Sequence, residues 1–149
     1  MTATDLPAGL AGIAEDFTAM PVPERLQLLL EFSQGLPDLP GRYAEHPELL
    51  EPVPECQSPI FLLTEVEGAG GDAVVRLYFS APREAPTTRG FAGILHEGLD
   101  GRTAQEILDV PADFTGRLGL AEAVSPLRLR GMAGMLGRIK RQVKEKAGI

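Results

Sequence analysis

The chain has 149 residues, of which 44% are hydrophobic and 23% charged, and its formal net charge is −7. This length is enough for one domain, residues 1–149, whose core needs no disulfide or metal for stability. A single cysteine, Cys56, with only His46 and His96 as histidines, excludes a disulfide framework and a zinc finger. No apolar run approaches the roughly 20 residues of a membrane span, and no signal-like segment opens the chain, so we expect a cytoplasmic protein.

The first two helical segments differ in strength. Residues 5–20 form a weak amphipathic pattern broken by two glycines, so we expect residues 1–20 to be a loosely packed N-terminal segment. The segment 23–35 predicts a stronger helix, with Gly35 at its end as the C-terminal cap. Its predicted apolar side consists of Leu26, Leu29, Leu30 and Phe32.

A proline-rich stretch separates these helices from the predicted strands. Four prolines between residues 47 and 59 argue against regular structure there, and Cys56 lies within this stretch. Residues 60–67 and 73–80 are rich in β-branched and aromatic side chains, and a glycine-rich turn at 68–72 joins them. The pattern predicts an antiparallel hairpin and, with the helices, an α+β fold in which helices pack against a small antiparallel sheet.

The second half of the chain is predicted to be mainly helical. Residues 87–98 indicate a helix that is capped by Gly98 and packs on the hairpin, and Thr103 with Glu106 forms a capping-box pattern. Ser125 precedes the last and longest predicted helix. The apolar stripe of this last helix consists of Met132, Met135, Leu136, Ile139 and Val143.

The last helix has two unusual features. Gly131, Gly134 and Gly137 each cost about 1 kcal/mol relative to alanine, so another backbone is expected to approach the helix there. We expect this to be the protein's own sheet, with a partner as the alternative. Residues 128–149 also contain seven basic residues and one acidic residue. Because no aromatics are interleaved, this charge indicates internal complementarity or a charged partner, and no nucleic acid.

Cys56 is the candidate nucleophile. A free cysteine is more often a small buried hydrophobe, but Cys56 lies between prolines and polar residues at a loop-to-strand junction. The neighbouring Glu55 disfavours the thiolate unless Arg128, Arg89 or a partner's cation offsets it. A cysteine hydrolase or a mononuclear metal site would require His96 to face Cys56, and neither has a supporting motif.

Four segments in order carry a resemblance to a known family. They are Leu-Pro-Asp-Leu at 36–39, Glu-Cys-Gln-Ser-Pro at 55–59, Thr-Arg-Gly-Phe at 88–91 and Leu-Ala-Glu-Ala-Val-Ser-Pro-Leu-Arg-Leu-Arg-Gly-Met at 120–132. Together they resemble the SufE-like sulfur acceptors of iron–sulfur cluster assembly. The resemblance implies the α+β fold of SufE and IscU-like proteins, with the cysteine in an exposed loop whose side chain tucks into an apolar pocket.

The resemblance also implies a function. Cys56 would accept sulfur from the persulfide of a SufS-like cysteine desulfurase, stimulate that enzyme and pass the sulfur to a SufBCD-like scaffold. The pyridoxal phosphate would belong to the desulfurase, and this chain would bind no cofactor or metal. The alternative is a non-catalytic scaffold, or a metal- or cluster-binding module, in which the cysteine is structural.

Further residues carry over from the resemblance as partner-binding or supporting residues. Gln57 and Ser58 match the loop after the active cysteine, Arg128 matches the arginine after the Ser-Pro pair, and Arg89 matches a usually basic position. Glu84 falls near an acidic position. Glu55 departs from the glycine that many relatives have, which affects the flexibility of the loop. We expect Arg128 to lie near the cysteine loop.

Overall fold

The computed structural model describes residues 6–149, which form six α-helices, two short 3-10 helices and one antiparallel sheet. The helices are α1 (Ala8–Ala19), α2 (Val22–Gly35), α3 (Gly41–Ala44), α4 (Pro86–Leu99), α5 (Ala104–Leu108) and α6 (Pro126–Ala147). The strands are β1 (Glu51–Pro52), β2 (Phe61–Glu67) and β3 (Val74–Ser80), in the order β1-β2-β3. The predicted α+β class is confirmed. No helix within residues 6–149 is both long and apolar enough to cross a membrane.

The sheet contains the predicted hairpin and one strand that the sequence did not indicate. In β2 and β3, Phe61 pairs with Ser80 and Glu67 with Val74, as the glycine-rich turn requires. The proline-rich stretch holds a 3-10 helix at Pro47–Leu49 and the two-residue strand β1, which pairs with β2. The expectation of no regular structure is therefore wrong at these two places. A proline can begin a 3-10 turn or stand in an edge strand, because neither position needs its missing N–H.

The N-terminal segment is better packed than expected. Leu10 and Phe17 of α1 are fully buried in the core, and Phe17 stacks on Phe32 of α2 with ring centroids 5.8 Å apart. The expectation of loose packing is therefore wrong for α1, because its three buried apolar side chains lie on one face at helical spacing. Residues 1–5 lie outside the described residues.

Helix α2 buries a narrower side than its sequence indicated. Leu29 is buried, whereas Leu26 and Leu30 are among the large exposed apolar residues. Helix α4 contacts α2 closely, since a Cβ at Gly93 would collide with the carbonyl oxygen of Phe32. Gly35 is the last helical residue and keeps a negative φ, so it does not form the predicted cap.

Helix α4 lies at the centre of the fold, and most of its residues are buried. It packs chiefly against α1 and α2, and also against β3 and α6, so its predicted contact with the hairpin is one of several. Gly98 is inside this helix, and Asp100 caps it instead. The predicted capping box of α5 is present, with Thr103 accepting from the Glu106 backbone N–H.

Helix α6 covers the inner face of the sheet. The Ser125 side chain accepts a hydrogen bond from the Arg128 backbone N–H and begins the helix. The five residues of the predicted apolar stripe are all buried. This helix also positions the cysteine loop.

Candidate functional site

Cys56 lies in the loop that connects β1 to β2. The base of this loop is closed by a hydrogen bond of 2.9 Å from the Val53 N–H to the Ile60 carbonyl. Within the loop, the Cys56 N–H donates to the Val53 carbonyl at 3.1 Å. Pro54 and Pro59 restrict the same stretch of backbone. The loop is therefore a small, stiff structure that projects from the edge of the sheet.

Two glycines of α6 form the surface on which this loop rests. A Cβ added at Gly131 would lie 2.9 Å from the Cys56 Sγ, and one added at Gly134 would lie 3.0 Å from the Glu55 Cδ. Nothing lies within 4 Å of such a Cβ at Gly137. The expectation that the sheet approaches these glycines is wrong, because the cysteine loop approaches two of them. Their absent side chains make room for the thiol and for the residue before it.

An ion-pair network fastens the loop to α6. The Glu55 carboxylate lies 2.7 Å from Arg138 Nη1, and the Arg138 Nε lies 3.3 Å from the Glu51 carboxylate. Glu51 in turn pairs with Arg141 and accepts a hydrogen bond of 2.8 Å from the Gln142 amide. Two carboxylates from β1 and the loop thus face a row of cations and an amide on α6.

The thiol itself is turned inward. Cys56 is only 8% exposed, and burial, together with the nearby Glu55 carboxylate, raises the pKa of its thiol to about 11, an effect that Arg138 partly offsets. The hydrogen bond from Arg138 lowers the pKa of Glu55, so this carboxyl stays ionised beside the thiol. At neutral pH Cys56 is therefore a protonated, weakly reactive thiol in this conformation.

A small cavity of about 50 Å³ opens beside the thiol. Residues from three segments line it, namely Glu55, Cys56, Gln57, Ser58, Thr88, Leu127 and Arg128. The structure therefore brings Gln57, Ser58 and Arg128 together with the cysteine, and Arg128 lies near the loop, as the resemblance led us to expect. Leu127 is 45% exposed, so the rim of this cavity is partly apolar and partly cationic.

Two of the carried-over residues lie elsewhere. Arg89 is buried and donates hydrogen bonds to the backbone carbonyls of Ser33, Leu36 and Ala81, so its guanidinium is not available to dock a partner from this conformation. Glu84 is exposed in the turn before α4 and does not line the cysteine cavity. Arg89 thus joins the end of α2 to the beginning of α4 and does not offset Glu55.

Arg138 is the site residue that sequence reasoning missed. Its cation partly offsets the effect of Glu55 on the pKa of the Cys56 thiol, a role for which Arg128, Arg89 or a partner's cation had been considered. A signal was present, since Gly134 and Arg138 are four residues apart and share one face of a helix. The sequence did not indicate that the cysteine loop rests on that face of the helix.

His96 does not face the cysteine. Its Nε2 lies 3.9 Å from the Asp100 carboxylate, and it lines a different cleft, of about 610 Å³, beside α1, α2 and α4. The geometry needed for a Cys–His hydrolase or a Cys–His metal site is absent. Within residues 6–149, no group of three or more histidine, cysteine or acidic side chains is arranged to hold a metal ion.

Comparison with known proteins identifies the family of this chain. The family model described as "SufE: Fe-S metabolism associated domain" matches residues 11–143. This chain belongs to the SufE family. SufE-like proteins from two strains of Mycobacterium tuberculosis are each 56% identical to it over 146 residues, which cover 97% of this chain and 99% of theirs.

Two further comparisons bear on the fold and on distant relatives. A hypothetical protein from Thermus thermophilus, solved in solution, is 40% identical and superposes with a TM-score of 0.80 over 97% of this SufE-family chain and 99% of its own. The cysteine desulfuration protein SufE of Plasmodium vivax is 27% identical over 126 residues, which cover 78% of this chain and 51% of that protein. The predicted family and fold are both confirmed.

Proposed function

We propose that this protein accepts a sulfane sulfur on Cys56 from the persulfide of a cysteine desulfurase and delivers it to an iron–sulfur cluster scaffold. The observation that carries the proposal is the placement of the chain's single cysteine in a closed loop against α6, in a member of the SufE family. A SufS-like desulfurase and a SufBCD-like scaffold are the proposed partners, and the cytoplasm is the proposed compartment. The distant relative from Plasmodium vivax is itself named a cysteine desulfuration protein.

The transfer is a thiol exchange that needs no external oxidant or reductant. The Cys56 thiol loses its proton, and its Sγ attacks the outer sulfur of the partner's persulfide. One S–S bond forms on Cys56 while the S–S bond on the partner breaks, and the departing partner thiolate takes up a proton. The products are a Cys56 persulfide and a free partner thiol. Pyridoxal phosphate acts earlier, in the desulfurase, and this chain contributes only the acceptor.

The inward position of Cys56 suits a carrier of labile sulfur. A persulfide that is buried beside α6 is shielded from oxidants and from thiols that would release it as sulfide. The same burial keeps the thiol protonated, so the loop must move when the partner docks. Movement into solvent or into the partner's site lowers the pKa of the thiol toward its ordinary value and makes the nucleophile available.

Arg128 is the proposed docking residue at the mouth of the cavity. It is exposed and lines the cavity, so it can meet an anionic group of the partner or the transferred persulfide. We expect Arg128→Ala to lower the rate of sulfur acceptance severalfold without changing the melting temperature. Arg130→Ala is the matched control, because Arg130 is exposed on the same turn but does not line the cavity.

The experiment that tests the proposal is intact-mass analysis of the protein after incubation with a cysteine desulfurase and free cysteine. We expect a gain of one sulfur atom that a reductant removes and that Cys56→Ser does not show. Failure of the wild-type protein to gain sulfur from a desulfurase of the same organism would refute the proposal and favour a binding module with a structural cysteine. If Cys56→Ser still stimulates the desulfurase, stimulation does not depend on sulfur acceptance.

A further inference from the structure

Within residues 6–149, one ion pair is the only polar side-chain attachment of the tip of the cysteine loop to the rest of the protein. Among the described residues, the side chains of Gln57 and Ser58 make no hydrogen bond or ion pair, while Glu55 pairs with Arg138 at 2.7 Å. The backbone hydrogen bonds from Val53 to Ile60 and from Cys56 to Val53 hold the loop together internally and do not attach it to α6. Any outward movement of Cys56 that carries its neighbour along must therefore separate Glu55 from Arg138.

Arg138 is itself held in place from the other side. Its Nε lies 3.3 Å from Glu51, whose carboxylate also receives Arg141 and Gln142. Only 22% of the Arg138 side chain is exposed. The guanidinium therefore presents a fixed site to Glu55, and pairing there places the loop over Gly134 and the thiol over Gly131.

From this geometry we infer that Glu55 and Arg138 are positioning residues that latch Cys56 in its inward position, and that breaking their ion pair opens the cysteine loop. The inference deepens the proposed function, on which its biological meaning rests, because it identifies what a docking partner must displace to reach the thiol. Any charged group that a partner brings to Glu55 or to Arg138 competes with the latch. The latch itself is a property of the protein alone and can be measured without a partner.

The rate at which iodoacetamide alkylates Cys56 measures how often the loop opens and exposes the thiol. Removal of the ion pair should increase this rate about two- to fivefold, the factor that corresponds to up to ~1 kcal/mol for a partly exposed ion pair. Simple electrostatics makes a different prediction. Loss of the Arg138 cation alone raises the pKa of the thiol and should slow alkylation, since this cation lowers that pKa in the folded protein.

The decisive variants are therefore Arg138→Gln and Glu55→Asp. The latch predicts faster alkylation in both variants. Arg138→Gln removes the cation, whereas Glu55→Asp keeps the negative charge on a shorter side chain that no longer reaches Arg138. The double variant Glu55→Gln with Arg138→Gln should be no faster than the faster of its two single variants. Lys144→Gln is the control, because it removes an exposed cation of α6 that takes no part in the ion-pair network of Glu51, Glu55 and Arg138, and its alkylation rate should match the wild type.

Three results would overturn the latch. They are slower alkylation in Arg138→Gln, an unchanged rate in Glu55→Asp, and additive effects in the double variant. If Arg138→Gln does not fold, Glu55→Asp decides alone, because Glu55 is a solvent-facing side chain whose shortening leaves the core intact. Since the assay contains no desulfurase, its outcome is independent of whether Cys56 accepts sulfur, and intact-mass analysis of the wild type tests that separately.

Discussion

Replacing Gly131 with alanine tests the contact between α6 and the cysteine. In a helix interior this change gains about 0.8–1.0 kcal/mol of helix propensity when nothing stands in the way. Here the new Cβ would lie 2.9 Å from the Cys56 Sγ and 3.4 Å from its Cα, so the loop must shift outward. Overpacking of this kind costs about 1–3 kcal/mol, which cancels or exceeds the gain.

Gly137→Ala is the matched control on the same helix. A Cβ at Gly137 meets nothing within 4 Å, so the full propensity gain should appear there. For a chain of this size, about 1 kcal/mol shifts the melting temperature by about 2–4 °C. We expect Gly137→Ala to raise the melting temperature by that amount, and Gly131→Ala to leave it unchanged or lower it.

Calorimetry and alkylation should be measured on the same two variants. The displaced loop in Gly131→Ala exposes the thiol, so iodoacetamide should react with Cys56 faster than in the wild type, while Gly137→Ala should show the wild-type rate. The reasoning fails if Gly131→Ala stabilises the protein as much as Gly137→Ala does and leaves the alkylation rate unchanged. That pair of results would mean that the thiol does not rest on Gly131 in solution.

Three further predictions concern the core, the loop support and the thiol. Phe17→Ala should lower the free energy of unfolding in urea by about 3–5 kcal/mol, because the ring is fully buried; a loss below about 1 kcal/mol would contradict the packing of α1. Gln142→Leu should cost about 1–3 kcal/mol in the same assay, because it leaves the buried Thr64 N–H, now 2.8 Å from the amide oxygen, without an acceptor; a neutral effect would contradict that bond. The rate of Cys56 alkylation should keep rising with pH beyond pH 9, because the raised pKa of about 11 keeps the thiolate scarce; a plateau near pH 9 would mean an exposed thiol.

Elements with strong local signals could be predicted from the sequence. The hairpin follows from two β-rich runs joined by a glycine turn, and α6 follows from Ser125-Pro126 and a regular apolar stripe. The short strand β1 and the packing of α1 could not be predicted in this way. Strand β1 is only two residues long and includes a proline, so it has no periodic pattern to detect. The amphipathic pattern of α1 is weak, and this helix is stabilised by the burial of residues such as Phe17 in the core.

Which residues surround Cys56 could be predicted in part, and how they contact one another less so. Cys56, Gln57, Ser58 and Arg128 come together as the resemblance implied, because three of them are consecutive and the fourth begins the helix on which the loop lies. Arg138 was missed because its partner Glu55 is distant in the sequence, and helix periodicity does not indicate what covers a face. The glycines of α6 indicated that another segment approaches the helix, which holds at Gly131 and Gly134 and not at Gly137, but they did not indicate which segment it is.

The basic residues of α6 have different surroundings at the two ends of the helix. In its later turns, Arg138 and Arg141 are engaged with carboxylates of β1 and the cysteine loop, and Lys146 donates to the Thr64 carbonyl. At its beginning, Arg128 is exposed at the cysteine cavity and makes no side-chain ion pair among the described residues. One end of the helix therefore holds the cysteine loop closed, while the other leaves a cation beside the thiol that a partner can meet.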